Sequence, residues 1–213
     1  MSANATFIGE YDNGSLLLRS GLRISFREEG ESDDAVLLLH GLNGHSGTWR
    51  KTIPFFSRTR KMIAPSLPPW RKSIQDLDID GYVRYVFELL DGLDAQRVSV
   101  VGNSMGGWIA MRMAVLRPEL TNALILEDSA GVSDPREKDV LKLLDSTDVP
   151  VLIAWGSEDR IIPLDAGRYL HSQLHNSQLQ VFEKAGHVPH WERPEEFNAR
   201  VLEFLDSRRK QSR

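Results

Sequence analysis

Short apolar runs alternate along the chain with longer amphipathic stretches. Residues 34–40 carry Ala35-Val36-Leu37-Leu38-Leu39 without a polar break, which suits a strand covered on both faces. Residues 97–103 and 149–155 repeat that pattern, and 61–65, 124–126 and 179–182 are shorter versions of it. Between these runs the apolar positions fall at helical spacing. Tyr82, Val83, Val86, Leu89 and Leu90 share one face of a helix predicted over 78–93, and Phe197, Val201, Phe204 and Leu205 do the same over 194–205. Residues 136–144 and 163–174 predict further helices, and 48–58 another with an irregular start at Pro54. Residues 105–116 are apolar almost all round, as in a helix packed mid-domain. At the amino end, 15–19 and 22–27 are strand-like and joined at Gly21, predicting an antiparallel opening. No repeat or linker interrupts the alternation. It predicts an α/β fold: a mostly parallel sheet with helices on both faces, in a single domain over 1–213 whose core spans about 14–206.

Composition narrows the reading only a little. With 213 residues, 41% apolar and 26% charged, the chain can bury a substantial core. A net charge of −4 gives no reason to expect nucleic acid or an acidic membrane as partner. The basic cluster Arg208-Arg209-Lys210 with Arg213 is expected to be a solvated tail over 207–213. There is no cysteine, which excludes disulfides, thiolate–metal sites and a cysteine nucleophile. Residues 1–10 lack the basic start and apolar stretch of a secretion signal, and no apolar run reaches membrane-spanning length. A soluble, cytoplasmic protein is expected.

The chemistry gathers where predicted strands end. Ser104 stands between glycines in Val101-Gly102-Asn103-Ser104-Met105-Gly106-Gly107, after a strand-like run and before a helical one. A serine at so sharp a turn is forced to positive φ, and its neighbours two positions away must lack a Cβ. The turn exposes the hydroxyl and leaves the Met105 N–H at a helix start, where an anion is stabilised. Three other strand ends carry distinctive loops: His40-Gly41-Leu42-Asn43-Gly44, Gly156-Ser157-Glu158-Asp159-Arg160-Ile161-Ile162-Pro163, and Ala185-Gly186-His187-Val188-Pro189-His190-Trp191-Glu192.

The order Ser104, Asp159, His187 and these four motifs resemble the α/β-hydrolase superfamily over about residues 14–206. The resemblance implies a serine hydrolase that needs neither metal nor other cofactor. His187 is then the base that takes the Ser104 proton, and Asp159 fixes the imidazole tautomer. The Leu42 and Met105 amides form the oxyanion hole. Two rivals remain for the acid: Glu158, adjacent but expected to point the other way, and Asp128 in Leu126-Glu127-Asp128-Ser129, where some relatives place it. His190 rivals His187 as base and is expected instead to line or support the site. His40 is expected to brace its loop by hydrogen bonds. His171 and His175 have metal-ligand spacing, but Ser172 replaces the glutamate of such a motif, so they are assigned to a solvated face. The glycine-rich stretch 41–47 lacks a following Lys-Ser/Thr, so phosphate-loop binding is rejected.

Members of this superfamily usually insert a helical cap between the sixth strand and the acid strand. Only residues 132–148 are available here, so the cap is expected to be missing or minimal. That implies an open, shallow site with walls from Leu42, Asn43, His45, Met105, Trp108 and Ser129. Trp70, in the proline-rich 65–70, is expected at one rim and His190 near the substrate. The expected activity is that of a carboxylesterase on small to medium esters. Cleavage of carbon–carbon bonds in ring-fission products ranks second, because the elbow sequence is similar to that of such hydrolases. A non-catalytic receptor or interaction protein of the same fold ranks third. The serine nucleophile argues against dehalogenases and epoxide hydrolases, which use aspartate there.

Overall fold

The computed structural model describes residues 10–68 and 78–211, apart from the side chains of residues 136 and 209–211. Its centre is an eight-stranded sheet in the order β1-β2-β4-β3-β5-β6-β7-β8. The strands are β1 (Gly14–Leu17), β2 (Arg23–Glu29), β3 (Ala35–Leu39), β4 (Lys61–Ser66), β5 (Val98–Asn103), β6 (Thr121–Glu127), β7 (Val151–Gly156) and β8 (Ser177–Phe182). Pairing is antiparallel between β1, β2 and β4, and parallel from β4 onward. The helices are α1 (Ile53–Phe56), α2 (Ile79–Gly92), α3 (Met105–Leu116), α4 (Lys138–Asp145), α5 (Leu164–Gln173), α6 (Pro189–Glu192) and α7 (Pro194–Gln211). This is the α/β-hydrolase architecture expected from the sequence.

The continuous apolar runs are strands because each buries both faces. Along β3, Leu37 and Leu39 pack toward α2 and α3. Val36 and Leu38 pack toward α1 and α7. β7 repeats the division, with Val151, Ile153 and Trp155 on one side and Leu152 and Ala154 on the other. α2 starts where Asp78 accepts the Gly81 N–H at 2.8 Å, an N-cap that satisfies one of the free amides of the first turn.

Several boundaries differ from the sequence reading. The helix predicted over 48–58 is a 3-10 turn at Ser46–Trp49 followed by the short α1, because Pro54 cannot continue a preceding helix. β6 begins at Thr121 and β8 at Ser177, earlier than their apolar stretches suggest. α7 runs on through Gln211, so the solvated tail expected from residue 207 is helical there. With neither glycine nor proline after Pro194, nothing in the chain stops it. Between β6 and β7 the chain forms only turns, a 3-10 turn at Pro135–Glu137 and α4. No cap is inserted there. Among the described residues no helix is long and apolar enough to cross a membrane.

Parallel pairing sets the carboxyl ends of β3, β5, β6, β7 and β8 side by side: Leu39 opposite Gly102, Asn103 opposite Glu127, and Gly156 opposite Phe182. The order reverses at β3, whose neighbours are β4 and β5, so loops leaving β3 and β5 meet at a switch point suited to a site. Trp155 couples this frame to the loop after β7, its ring fully buried and its Nε1–H donated to the Ile162 carbonyl at 2.9 Å. Trp155→Ala should lower unfolding stability by about 3–5 kcal/mol through cavity formation. Trp155→Phe should cost less, about 1–2 kcal/mol, chiefly from the unpaired Ile162 carbonyl. Urea denaturation of the two variants checks the order.

Candidate active site

Ser104 has φ 53° and ψ −115°, the strained geometry required of a sharp strand-to-helix turn. A Cβ on Gly102 would stand 2.4 Å from the Gly106 carbonyl oxygen, and one on Gly106 would stand 2.1 Å from that of Leu39. Only glycine fits at either place. The elbow is stitched to β6 on both sides: the Ser104 N–H donates to the Glu127 carbonyl at 2.9 Å and the Ala130 N–H donates to the Ser104 carbonyl at 3.0 Å. As the first residue of α3, Met105 has an N–H that no carbonyl of its own helix can take.

The loop after β3 rests on this turn. Gly41 to Gly44 form a turn closed by the Gly44 N–H on the Gly41 carbonyl at 3.0 Å, with Asn43 at φ 60°. His40 braces it. Its Nδ1–H donates to the Gly41 carbonyl at 2.7 Å, and its Nε2 accepts the Leu67 N–H at 2.8 Å. Burial pushes the His40 ring down to about 4, so it is neutral and the tautomer is set by these two bonds. Leu42, the other expected oxyanion donor, stands exposed at the turn.

Asp159 and His187 meet from the loops after β7 and β8. The His187 Nδ1–H donates to Asp159 Oδ2 at 2.7 Å, while Asp159 Oδ1 accepts the N–H groups of Ile161 and Ile162 at 2.7 and 3.0 Å. Burial works against the charge on Asp159, yet hydrogen bonds, that from His187 foremost, outweigh it and hold the carboxyl below its ordinary range. The rival Glu158 is exposed. The His187 loop is clamped by Glu192, whose oxygens accept the N–H groups of Gly186 and Val188 at 2.8 and 3.1 Å. Asn103 ties the loop to the elbow through an Nδ2–H bond to the His187 carbonyl at 3.0 Å.

A cavity of about 590 Å³ lies past the elbow at Trp108, and Ser104, Asp159 and His187 are not in its lining. It lies between residues 129–134, after β6, and residues 161–166, after the acid turn, with Trp108 of α3 between them. Of the expected wall residues only Trp108 and Ser129 border it. Ser129 is fully buried behind the wall with its hydroxyl on the Ala130 carbonyl at 3.0 Å. Leu42, Asn43, His45 and Met105 lie outside that lining. His45 caps the 3-10 turn at Ser46 and stacks on Tyr11 with ring centroids 5.6 Å apart. Trp70 lies outside the described residues.

His190 does not line the cavity as expected. It is completely buried, with its N–H on Glu127 Oε1 at 2.7 Å, its Nδ1 at 2.6 Å from Glu127 Oε2, and its ring stacked on Trp49 at 4.1 Å. A buried carboxylate needs such partners, and Glu127 claims this histidine before any substrate could. His171 and His175 do not converge: one meets the Ser177 hydroxyl, and the other lies past the end of α5 on Asp145. The sequence reading missed the Ile161-Ile162-Pro163 wall and Ala166. Its signal was the apolar run after the acid turn.

The fold and the geometry at these strand ends define a hydrolase-type scaffold. The profile of the alpha/beta hydrolase fold family matches residues 34–138 and 127–194, and the chain belongs to that family. The two matched segments meet in the connection between β6 and β7. Among named relatives, the chain is 26% identical to the 2-hydroxy-6-oxononadienedioate/2-hydroxy-6-oxononatrienedioate hydrolase 1 of Pseudomonas putida, with 86% of this chain and 92% of the relative covered. Among solved structures it resembles the meta-cleavage product hydrolase of Pseudomonas fluorescens IP01, with TM-score 0.83, 20% identity, and 93% of this chain and 99% of that one covered. An α/β hydrolase from the sediment metagenome of the Mar Chica lagoon, Morocco, superposes with TM-score 0.78 at 27% identity, covering 87% of this chain and 95% of that one.

The buried neutral His40 makes stability depend on acid. Its folded value is depressed below the unfolded 6.5, so the unfolded chain binds a proton that the folded one refuses between about 6.5 and 4. The His40 contribution to stability should therefore fall as pH drops through that window, by about 3 kcal/mol. Chemical denaturation of the native chain and of His40→Gln at pH 7, 5.5 and 4 should show the native chain losing about 3 kcal/mol relative to the variant as pH falls.

Proposed function

We propose that this hydrolase cleaves small, uncharged carboxylic esters through an acyl–Ser104 intermediate. Ser104 Oγ attacks the ester carbonyl carbon and His187 takes its proton. The Leu42 and Met105 N–H groups hold the oxyanion, and Asp159 stabilises the imidazolium. Collapse of the tetrahedral species expels the alcohol with the proton from His187. Water, deprotonated by the same histidine, then releases the acid.

The observation that carries the substrate class is the uncapped cavity. Its described lining is largely apolar, from Trp108, Val132, Ile161, Ile162, Pro163 and Ala166. It includes Asp134 and Asp165 but no lysine or arginine. An ester needs only the oxyanion amides and a place for its acyl chain, both compatible with an open, largely apolar cleft.

The named relatives favour a second reading, carbon–carbon bond hydrolysis, more than they favour the ester one. The Pseudomonas putida relative is named for dienedioate and trienedioate substrates. A dioate carries two carboxylates, however, and carboxylates bind where cations converge, whereas the described lining holds no lysine or arginine and Arg168 beside it is paired with Asp165.

Both classes should be assayed on one preparation. The p-nitrophenyl esters of graded chain length should show the higher kcat/KM. A tenfold advantage for the dienedioate would replace the ester reading with the second one. A fluorophosphonate probe should label the native chain but not Ser104→Ala, whose labelling would place the nucleophile elsewhere. Asp159→Asn should lower kcat by about 10⁴-fold, the loss seen when a triad aspartate gives up its charge. An Asp159→Asn enzyme near native activity would remove Asp159 from the role.

A further inference from the structure

Asp128 is fully buried at the end of β6, one residue past Glu127, and held at φ 43°. Its N–H is bound to the Ala154 carbonyl at 3.0 Å, and its Oδ1 accepts the Gly156 N–H at 3.0 Å. Its other oxygen, Oδ2, is enclosed by protein and no donor among the described residues reaches it. One carboxyl oxygen each from Asp128 and Asp159 and a ring nitrogen of His187 lie within 4.8 Å of one another. Asp159 already receives three hydrogen bonds from His187, Ile161 and Ile162, and a carboxylate has room for a fourth.

We propose that Asp128 is a neutral carboxylic acid whose Oδ2–H donates to the carboxylate of Asp159, making it the positioning residue behind the triad. The proposal rests on the reading of Asp159 as the triad acid. An ionised Asp128 would place a second buried negative charge against Asp159, with Glu127 beside it and an oxygen unsatisfied. One proton removes all three difficulties: the enclosed oxygen becomes a donor, Asp159 gains its fourth bond, and the repulsion disappears. The charged and titratable groups facing Asp128 are Glu127 on its own strand, bound to His190, and Asp159 and His187 from the next two loops. Burial, reinforced by the Glu127 charge, pushes Asp128 up to about 10. The same bond helps hold Asp159 low.

Asp128 thus joins a chain that runs from its proton through Asp159 and His187 toward Ser104. It orients Asp159 without touching substrate and does not replace it as acid. The folded state keeps a proton that the unfolded state releases near pH 4, so this contribution to stability is progressively lost as pH rises toward about 10. Above that pH the two carboxylates repel, and Asp159 loses its hold on His187.

The test compares Asp128→Asn, Asp128→Ala and Asp159→Asn with the native enzyme, by ester kcat/KM and by denaturation from pH 6 to 10.5. An asparagine at 128 still donates to Asp159 and still accepts from Gly156. Asp128→Ala should lose about 10²-fold in kcat/KM through misorientation. Asp128→Asn should restore most of that loss and flatten the alkaline decline of both activity and stability. A collapse of Asp128→Asn by about 10⁴-fold, the loss expected of Asp159→Asn, would make Asp128 a charged acid and overturn the proposal. Alkaline slopes unchanged in Asp128→Asn would overturn it too, because the titrating proton would lie elsewhere. If Asp159→Asn is nearly native, the triad reading fails separately. The stability slopes, independent of turnover, still decide where the proton is. Should Asp128→Asn fail to fold, infrared spectra of the native protein at pH 8 must show the carbonyl stretch of a buried carboxylic acid. Its absence refutes the neutral acid.

Discussion

The approach of α3 to the end of β3 leaves no space for a methyl group at Gly106, and the turn before it leaves none at Gly102. Everything at the site depends on that contact. It sets where α3 begins, and so where the free N–H groups of its first turn point. It puts Ser104 at positive φ, and it sets the 41–44 loop against the elbow. Strain of this kind costs about 1–3 kcal/mol and persists only where surrounding structure imposes it. Here the surroundings are identifiable: Ser104 bonds through its N–H to Glu127, and its carbonyl takes the N–H groups of Gly107, Trp108 and Ala130.

Three acids stand behind the serine, and their surroundings divide the labour among them. Glu127 is fully buried against His190, with Trp49 closing over the ring, which makes that pair part of the frame. Asp159 collects donors on both oxygens and stays charged, the state needed by a group that steadies an imidazolium. Asp128 has one donor for two oxygens and cannot hold a charge on the same terms. Residue type alone does not distinguish these roles. The count of donors around each carboxyl does, and it is set by which strand end each loop is stitched to. The bonds from Asp128 to Ala154, Ser157 to Phe182 and Glu158 to Ala185 carry that stitching from β6 to β8.

Most of the sheet was legible because a strand buried on both faces leaves an uninterrupted apolar run, as in Ala35 to Leu39 and Val151 to Trp155. Legibility failed where burial is one-sided. β8 starts in half-exposed Ser177 and Gln178, and Arg60, buried between Asp34 and Asp206, reads in the sequence as one more surface charge. At the site, Ser104, Asp159 and His187 could be picked out because each needs a particular turn at a particular strand end. The assignment of His190 to the substrate side failed because its partner, Glu127, lies 63 positions earlier. The cavity wall was hidden for a related reason. It joins residues 129–134 to 161–166, and only the pairing of β6 with β7 makes those loops neighbours.

The short connection between β6 and β7 decides how such a site can choose its substrates. α4 suffices to cross from one strand to the next, and this connection adds no helix over the carboxyl ends of the strands. Leu42, in the loop after β3, remains 54% exposed, and Ile161, in the loop after β7, 70% exposed. A pocket that encloses little of its ligand gains little from each added methylene, whose worth even in a closed apolar pocket is about 1–3 kcal/mol. Shape therefore discriminates weakly here. Charge adds little to that choice, because Asp165 at the cleft is paired with Arg168 at 2.9 Å, and an exposed pair of this kind leaves a weak field. Under the ester reading we propose, selection therefore rests on the intrinsic reactivity of the carbonyl presented to Ser104, with little help from enclosure of the rest of the substrate.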